Sequence, residues 1–123
     1  MATPNIVIVS DIRANTTYLV PTTTTATTWT ALTPTTNTVN KVNYMTASNV
    51  TASAATITVS INNATAGAGT AYRLAYQISI PGNASLIILD KTTALYVTDA
   101  QSIVVTSGTT NAIEMISSFE AIL

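Results

Sequence analysis

The chain has 123 residues, 47% of them hydrophobic and only 7% charged, with a net charge of −1 and neither histidine nor cysteine. That composition excludes disulfide frameworks, thiolate or imidazole metal sites and Ser-His-Asp catalysis. Its four dispersed cations, Arg13, Lys41, Arg73 and Lys91, lack the clustering that nucleic-acid phosphates require. Low charge with abundant Val, Ile and Thr belongs to a folded chain, and a domain of this length buries roughly two thirds of its unfolded surface.

In chain order, the first apolar run, Ile6 to Val9, reads as a strand. It is too short for a signal-peptide core and no basic segment precedes it, so the chain is expected to act without secretion by the general pathway. No stretch approaches the ~20 apolar residues of a membrane helix. Tyr18 to Val20 is the next expected strand. Residues 22–38 are Thr-rich, framed by Pro21 and Pro34 around Trp29. The plainer reading is an edge strand over Ala26 to Leu32, because Thr suits a pleated surface and Trp is usually buried in its own domain. The other is an extended arm on a neighbouring subunit. On that reading Trp29 is the anchor, and Trp29, Leu32, Tyr18 and Tyr44 are the candidate interface residues of the chain.

Val42 to Ala47 reads as a strand, and the alternation of Ile57, Val59 and Ile61 with Thr56, Thr58 and Ser60 defines another. Tyr72, Leu74, Tyr76, Ile78 and Ile80 share one face of a following strand. That face is expected to be core-like, so a ligand-stacking platform is the minor reading for Tyr72 and Tyr76. The Gly-bearing loop from Asn62 to Gly69 makes these two runs a hairpin. Leu86 to Leu89, Leu95 to Val97 and Ile103 to Val105 are short strands between polar turns. The last run, Ala112 to Leu123, is expected to be strand although Ile113, Ile116 and Glu120 also fit a helical spacing. The sum is one all-β domain over residues 1–123: an antiparallel β-sandwich, Ig-like or jelly-roll-like, of about eight short strands.

No catalytic, cofactor or metal site is expected. Asp11, Asp90, Asp99, Glu114 and Glu120 follow no calcium-loop spacing or paired-acid motif. Asp90 and Asp99 sit in turn sequences, where the side chain caps its own backbone. Glu114 and Glu120 read as solvent-side charges protecting an edge strand. Gly67-Ala68-Gly69 lacks the flanking residues of a phosphate cradle and reads as a hairpin loop. Net charge near zero leaves little self-repulsion and favours association between copies.

Several segments carry a resemblance. Ser48-Asn49-Val50-Thr51-Ala52-Ser53 leads into Ile57 to Ile61, and Ile80-Pro81-Gly82-Asn83-Ala84-Ser85 leads into Leu86 to Leu89. Leu95-Tyr96-Val97, Ser102 to Ser107 and the closing Ser118-Phe119-Glu120-Ala121-Ile122 follow. In this order of strands and turns the chain resembles small virion structural proteins of tailed bacteriophages. The Thr-rich first forty residues depart from that pattern. The resemblance implies a non-enzymatic β-sandwich on the virion, most simply a capsid decoration or cement protein, otherwise a neck, tail or baseplate component. It implies other virion proteins as partners, the major capsid protein among them, and a homo-oligomer that is a trimer if it occupies threefold lattice points. A carbohydrate- or receptor-binding sandwich is the alternative, for which exposed Trp29 and Tyr44 are the expected mark.

Overall fold

The computed structural model describes residues 9–123, so the strand expected at Ile6 to Val9 lies outside the described residues except for Val9, which is irregular. Nine strands follow in chain order: β1 (Ile12–Leu19), β2 (Thr27–Thr28), β3 (Val39–Asn49), β4 (Ala55–Asn62), β5 (Ala71–Ile80), β6 (Ser85–Leu89), β7 (Leu95–Val97), β8 (Ser102–Ser107) and β9 (Ile113–Ile122). The strands expected near residues 18 and 42 extend further than the apolar runs alone suggest. Polar Thr and Asn flank both runs, and such residues continue a ladder whose one face is solvated. The final run is strand throughout. Its odd positions Ile113, Met115, Ser117 and Phe119 are buried, which is a period of two.

Every pairing is antiparallel. β1 pairs with β9, β2 with β8, β3 with β6 and β7, and β4 with β5. The first half of the chain therefore pairs with the second half in reverse order, as one long folded ribbon. That ribbon is rolled so that β3 also pairs with β9 and β4 with β8. The result is two sheets, β1-β9-β3-β6 with β7 joined to β3, and β2-β8-β4-β5. Of the two sandwich topologies left open by the sequence, this order is the jelly roll.

The core lies between the sheets. Met45, Ile57, Val59, Ile103, Val105, Ile113 and Met115 form its centre, with Trp29 and Leu32 closing one side. The Thr-rich segment is thus a two-residue edge strand and a short 3-10 turn, Thr30–Leu32, held on its own domain. The Trp29 amide donates to the Ile103 carbonyl at 2.8 Å. Its indole Nε1 donates to Thr17 Oγ1 at 3.4 Å. The strand here is shorter than the expected Ala26 to Leu32, since Thr30–Leu32 turns away as a 3-10 helix.

The turn after β3 and the turn before β6 meet at one corner. Asn49 is 2% exposed. Its Nδ2 donates to the carbonyls of Ser53 at 2.8 Å and Ile80 at 2.9 Å, while Oδ1 accepts from Thr51 N at 2.9 Å. The Asn83 amide donates to the Thr51 carbonyl at 3.0 Å and the Asn49 amide to the Ala84 carbonyl at 2.8 Å. At Gly82 a Cβ would run into the Ala52 carbonyl, so only glycine lets the two turns approach. These motifs build a corner of the sandwich.

Candidate functional site

Four of the five acids are engaged structurally, and Glu114 is exposed. Asp11 accepts from Arg13 Nε at 2.7 Å on the surface. Asp90 caps the 3-10 turn Lys91–Thr93, accepting from Thr92 N at 2.9 Å and Thr92 Oγ1 at 2.6 Å. The Thr92 hydroxyl and amide hold its carboxyl below the usual carboxylate range. Asp99 is buried. Its Oδ2 accepts from the Asn37 amide at 2.8 Å, tying the loop before β3 to the turn before β8, while Oδ1 has no protein partner. Its partner is a loop 62 residues away in sequence and not its own turn, which corrects the expectation of a local cap. Glu114 and Glu120 do face the solvent side, but β9 is flanked by both β1 and β3, so they do not guard an edge. Among the described residues no three acidic side chains gather as a metal site.

The surface is more informative. Cross-strand partners share a sheet face, so the register assigns the outer side of the β1-β9-β3-β6 sheet directly. Tyr18 lies opposite Ile116, Ile116 opposite Thr46, and Thr46 opposite Ile87. One row thus crosses all four strands, with Tyr18 71%, Ile116 41% and Ile87 60% exposed. The next row is Thr16, Ser118 and Tyr44, in which Thr16 Oγ1 and Ser118 Oγ are 3.1 Å apart. On the other side Ser85, Ser48 and Glu114 form a row in which the two serine hydroxyls are 2.8 Å apart. The hydroxyls satisfy one another and leave few charges on this face. Ionisable groups stand toward its ends: Glu114 at one, Lys41 and Glu120 at the other, where Asn43 Nδ2 donates to Glu120 at 2.8 Å. A shallow depression of about 390 Å³ opens there between β1, β9 and Asn43. An apolar centre with a polar rim is the anatomy of an association surface.

Of the four residues singled out from sequence, the structure brings two together on this face, Tyr18 and Tyr44, in adjacent rows. Trp29 and Leu32 are 2% and 0% exposed and belong to the domain's own core, which corrects their assignment as interface residues. They fill the gap between sheets, leaving nothing for a neighbour to grip. Ile116 and Ile87 were missed. Ile116 was legible in principle, because it falls out of phase with Ile113, Met115 and Phe119. Ile87 was hidden in the unbroken apolar run Leu86 to Leu89, which gives no face.

A second exposed cluster overturns another expectation. Tyr72, Tyr76 and Ile78 are 59%, 57% and 40% exposed, while only Ile80 of that set is fully buried. β5 is the edge strand of its sheet, paired on one side alone, and it carries two extra residues. Ile57 faces Ile78, but Val59 faces Ala75 and Ser60 faces Arg73, so the register slips twice. Each slip breaks the period of two and bends the strand. Gln77 absorbs one of them with a left-handed backbone, φ 47°, and its amide donates to Thr58 Oγ1 at 2.9 Å. Arg73 lies over the Tyr76 ring at 5.1 Å.

No protein-family model matches the chain, and no curated protein matches it. Among solved structures it is similar to one described as the cryo-EM structure of giant freshwater prawn Macrobrachium rosenbergii extra small virus (XSV) VLP. That likeness is 13% in sequence identity with a TM-score of 0.42, over 97% of this chain and 86% of that one. The assignment of the fold itself rests on the strand order.

Proposed function

We propose that this chain is a non-enzymatic structural subunit of a virion, most specifically a capsid decoration or cement protein of a tailed bacteriophage, located on the particle and made in the host cytoplasm. One observation carries the reading: the outer face of the β1-β9-β3-β6 sheet presents a cross-strand apolar row framed by uncharged hydroxyls. Jelly rolls recur in viral capsid and lectin domains and in cupins. A cupin's usual imidazole ligands cannot be supplied by a chain without histidine. The virion reading draws its phage-specific part from the strand and turn pattern of the sequence. Its partners are further copies and other virion proteins, major capsid, neck or tail. The mechanism is burial of apolar surface, worth roughly 25 cal/mol per Å² and repeated over many contacts.

Mass spectrometry of purified particles should find the chain at stoichiometric copy number. Ile116→Lys should weaken its association, with copies or particle, at least about tenfold, ~1.4 kcal/mol, and leave the thermal midpoint nearly unchanged. Absence from particles sinks the virion reading. Undiminished association of the variant sinks the role given to this face.

The β5 cluster favours a second reading, a glycan- or receptor-binding sandwich. Exposed Tyr72 and Tyr76 with a stacked Arg73 offer aromatic faces to a sugar ring. On that reading a glycan array gives a saturable hit that Tyr76→Ala removes. An array without hits excludes it for the glycans tested.

A further inference from the structure

The four sheet edges are not alike. An edge strand displays unpaired N–H and C=O groups that attract another chain, and proteins blunt such edges with shortness, bulges, interruptions or charge. Three edges here are blunted. β2 has two residues. β5 carries two register slips. The β6–β7 edge is broken by the 3-10 turn Lys91–Thr93. β1 is different: eight residues in unbroken register with β9, from Ile12 opposite Ile122 to Leu19 opposite Met115. It contains no proline, no glycine and one charge, Arg13, which is neutralised by Asp11 at 2.7 Å. Among the described residues, β9 is its only strand partner.

We infer that β1 is the pairing edge for a second copy of this chain, the two β1 strands lying antiparallel about a twofold axis at Asn15. The choice of partner and register follows from side-chain faces. A twofold perpendicular to the sheet keeps outer face joined to outer face only if a residue lies opposite its own copy. With Asn15 on the axis, Arg13 faces Thr17, Ala14 faces Thr16, and Ile12 faces Tyr18. Ile12 and Tyr18 are the most exposed side chains of β1 among its large apolar residues, 54% and 71%. This register covers both, twice per dimer, as aromatic and β-branched cross-strand pairs. No like charges meet. The two sheets become one, and the row Tyr18, Ile116, Thr46, Ile87 of each copy joins a single outer surface. The inference deepens the proposed function and rests on its reading of the chain as self-assembling.

The test uses the full chain in sedimentation velocity across micromolar concentrations. Asn15 is exposed, so charge can be added there with the fold monitored by circular dichroism. The wild type should dimerise. N15K and N15E each place like charges face to face on the axis and should weaken dimerisation at least about tenfold. An equimolar mixture of the two should restore it, which misfolding would not allow. In this cysteine-free chain N15C should form an intermolecular disulfide or short bismaleimide cross-link. Wild-type association untouched by N15K and N15E, with no N15C cross-link, overturns β1 pairing and leaves self-assembly through another surface. A chain that is monomeric yet present on particles overturns β1 pairing alone. One that dimerises through Asn15 yet is absent from particles overturns the virion role alone.

Discussion

Trp29→Ala should destabilise the domain by about 3–5 kcal/mol, the range for removing a buried aromatic from a packed core. The side chain is 2% exposed among core residues of both sheets. Its loss removes apolar contact, empties a volume the neighbours fill only in part, and releases Thr17 from the indole N–H. The thermal midpoint should fall by on the order of 10 °C, and the urea midpoint should fall with it at an unchanged slope. Trp29→Phe should recover part of the difference. As the chain's one tryptophan, it should also emit in the blue in the native protein and shift red on unfolding. A loss below about 1 kcal/mol would mean that Trp29 sits outside the core, and would reopen the arm reading of residues 22–38.

Asn49→Ala should be nearly as costly, although it removes only a small polar side chain. Asn49 donates to two carbonyls, Ser53 and Ile80, and accepts from both the amide and the hydroxyl of Thr51. Alanine leaves these groups without their partner in a place that water reaches poorly. Stranded buried polar groups cost about 1–3 kcal/mol each, so a total of about 2–4 kcal/mol is expected after relaxation. Asn49→Asp supplies a sign test. A carboxylate there would face two carbonyl oxygens, so its folded pKa must rise above the unfolded one. The variant's stability should therefore be best at pH below the ordinary carboxylate pKa and decline as pH rises through the raised value. Urea midpoints between pH 3 and pH 7 would check this, and a variant that gained stability over that range would remove Asn49 from its place at the corner.

Much of the fold was legible from residues alone, and the reasons differ by element. β4 was plain because Ile57, Val59 and Ile61 alternate with hydroxyl residues. β9 was recoverable against a helical reading because β-branched and small polar residues favour extended backbone. The cap at Asp90 was legible because it depends on residues two and three positions away. The association face was only half legible. Tyr18 and Tyr44 could be suspected as large side chains in Thr- and Asn-rich surroundings, but their being neighbours depends on β9, more than seventy residues downstream of Tyr44. Trp29 misled because an isolated tryptophan in a low-complexity stretch has the same sequence whether it plugs its own core or a neighbour's.

By itself, then, the sequence determined the class of structure and what it lacks: β-branched residues at period two, polar turns at short intervals, and no imidazole or thiol for chemistry. Tertiary structure decided which faces are covered. Period two separates a strand's sides without saying which meets another sheet, or whether the strand lies at an edge as β5 does, where Tyr72 and Ile78 stay exposed. The assignment of β1 as an unblunted edge and of Tyr18, Ile116, Thr46 and Ile87 as one row likewise arises from pairing between distant segments. Only rolling the ribbon up creates those neighbours.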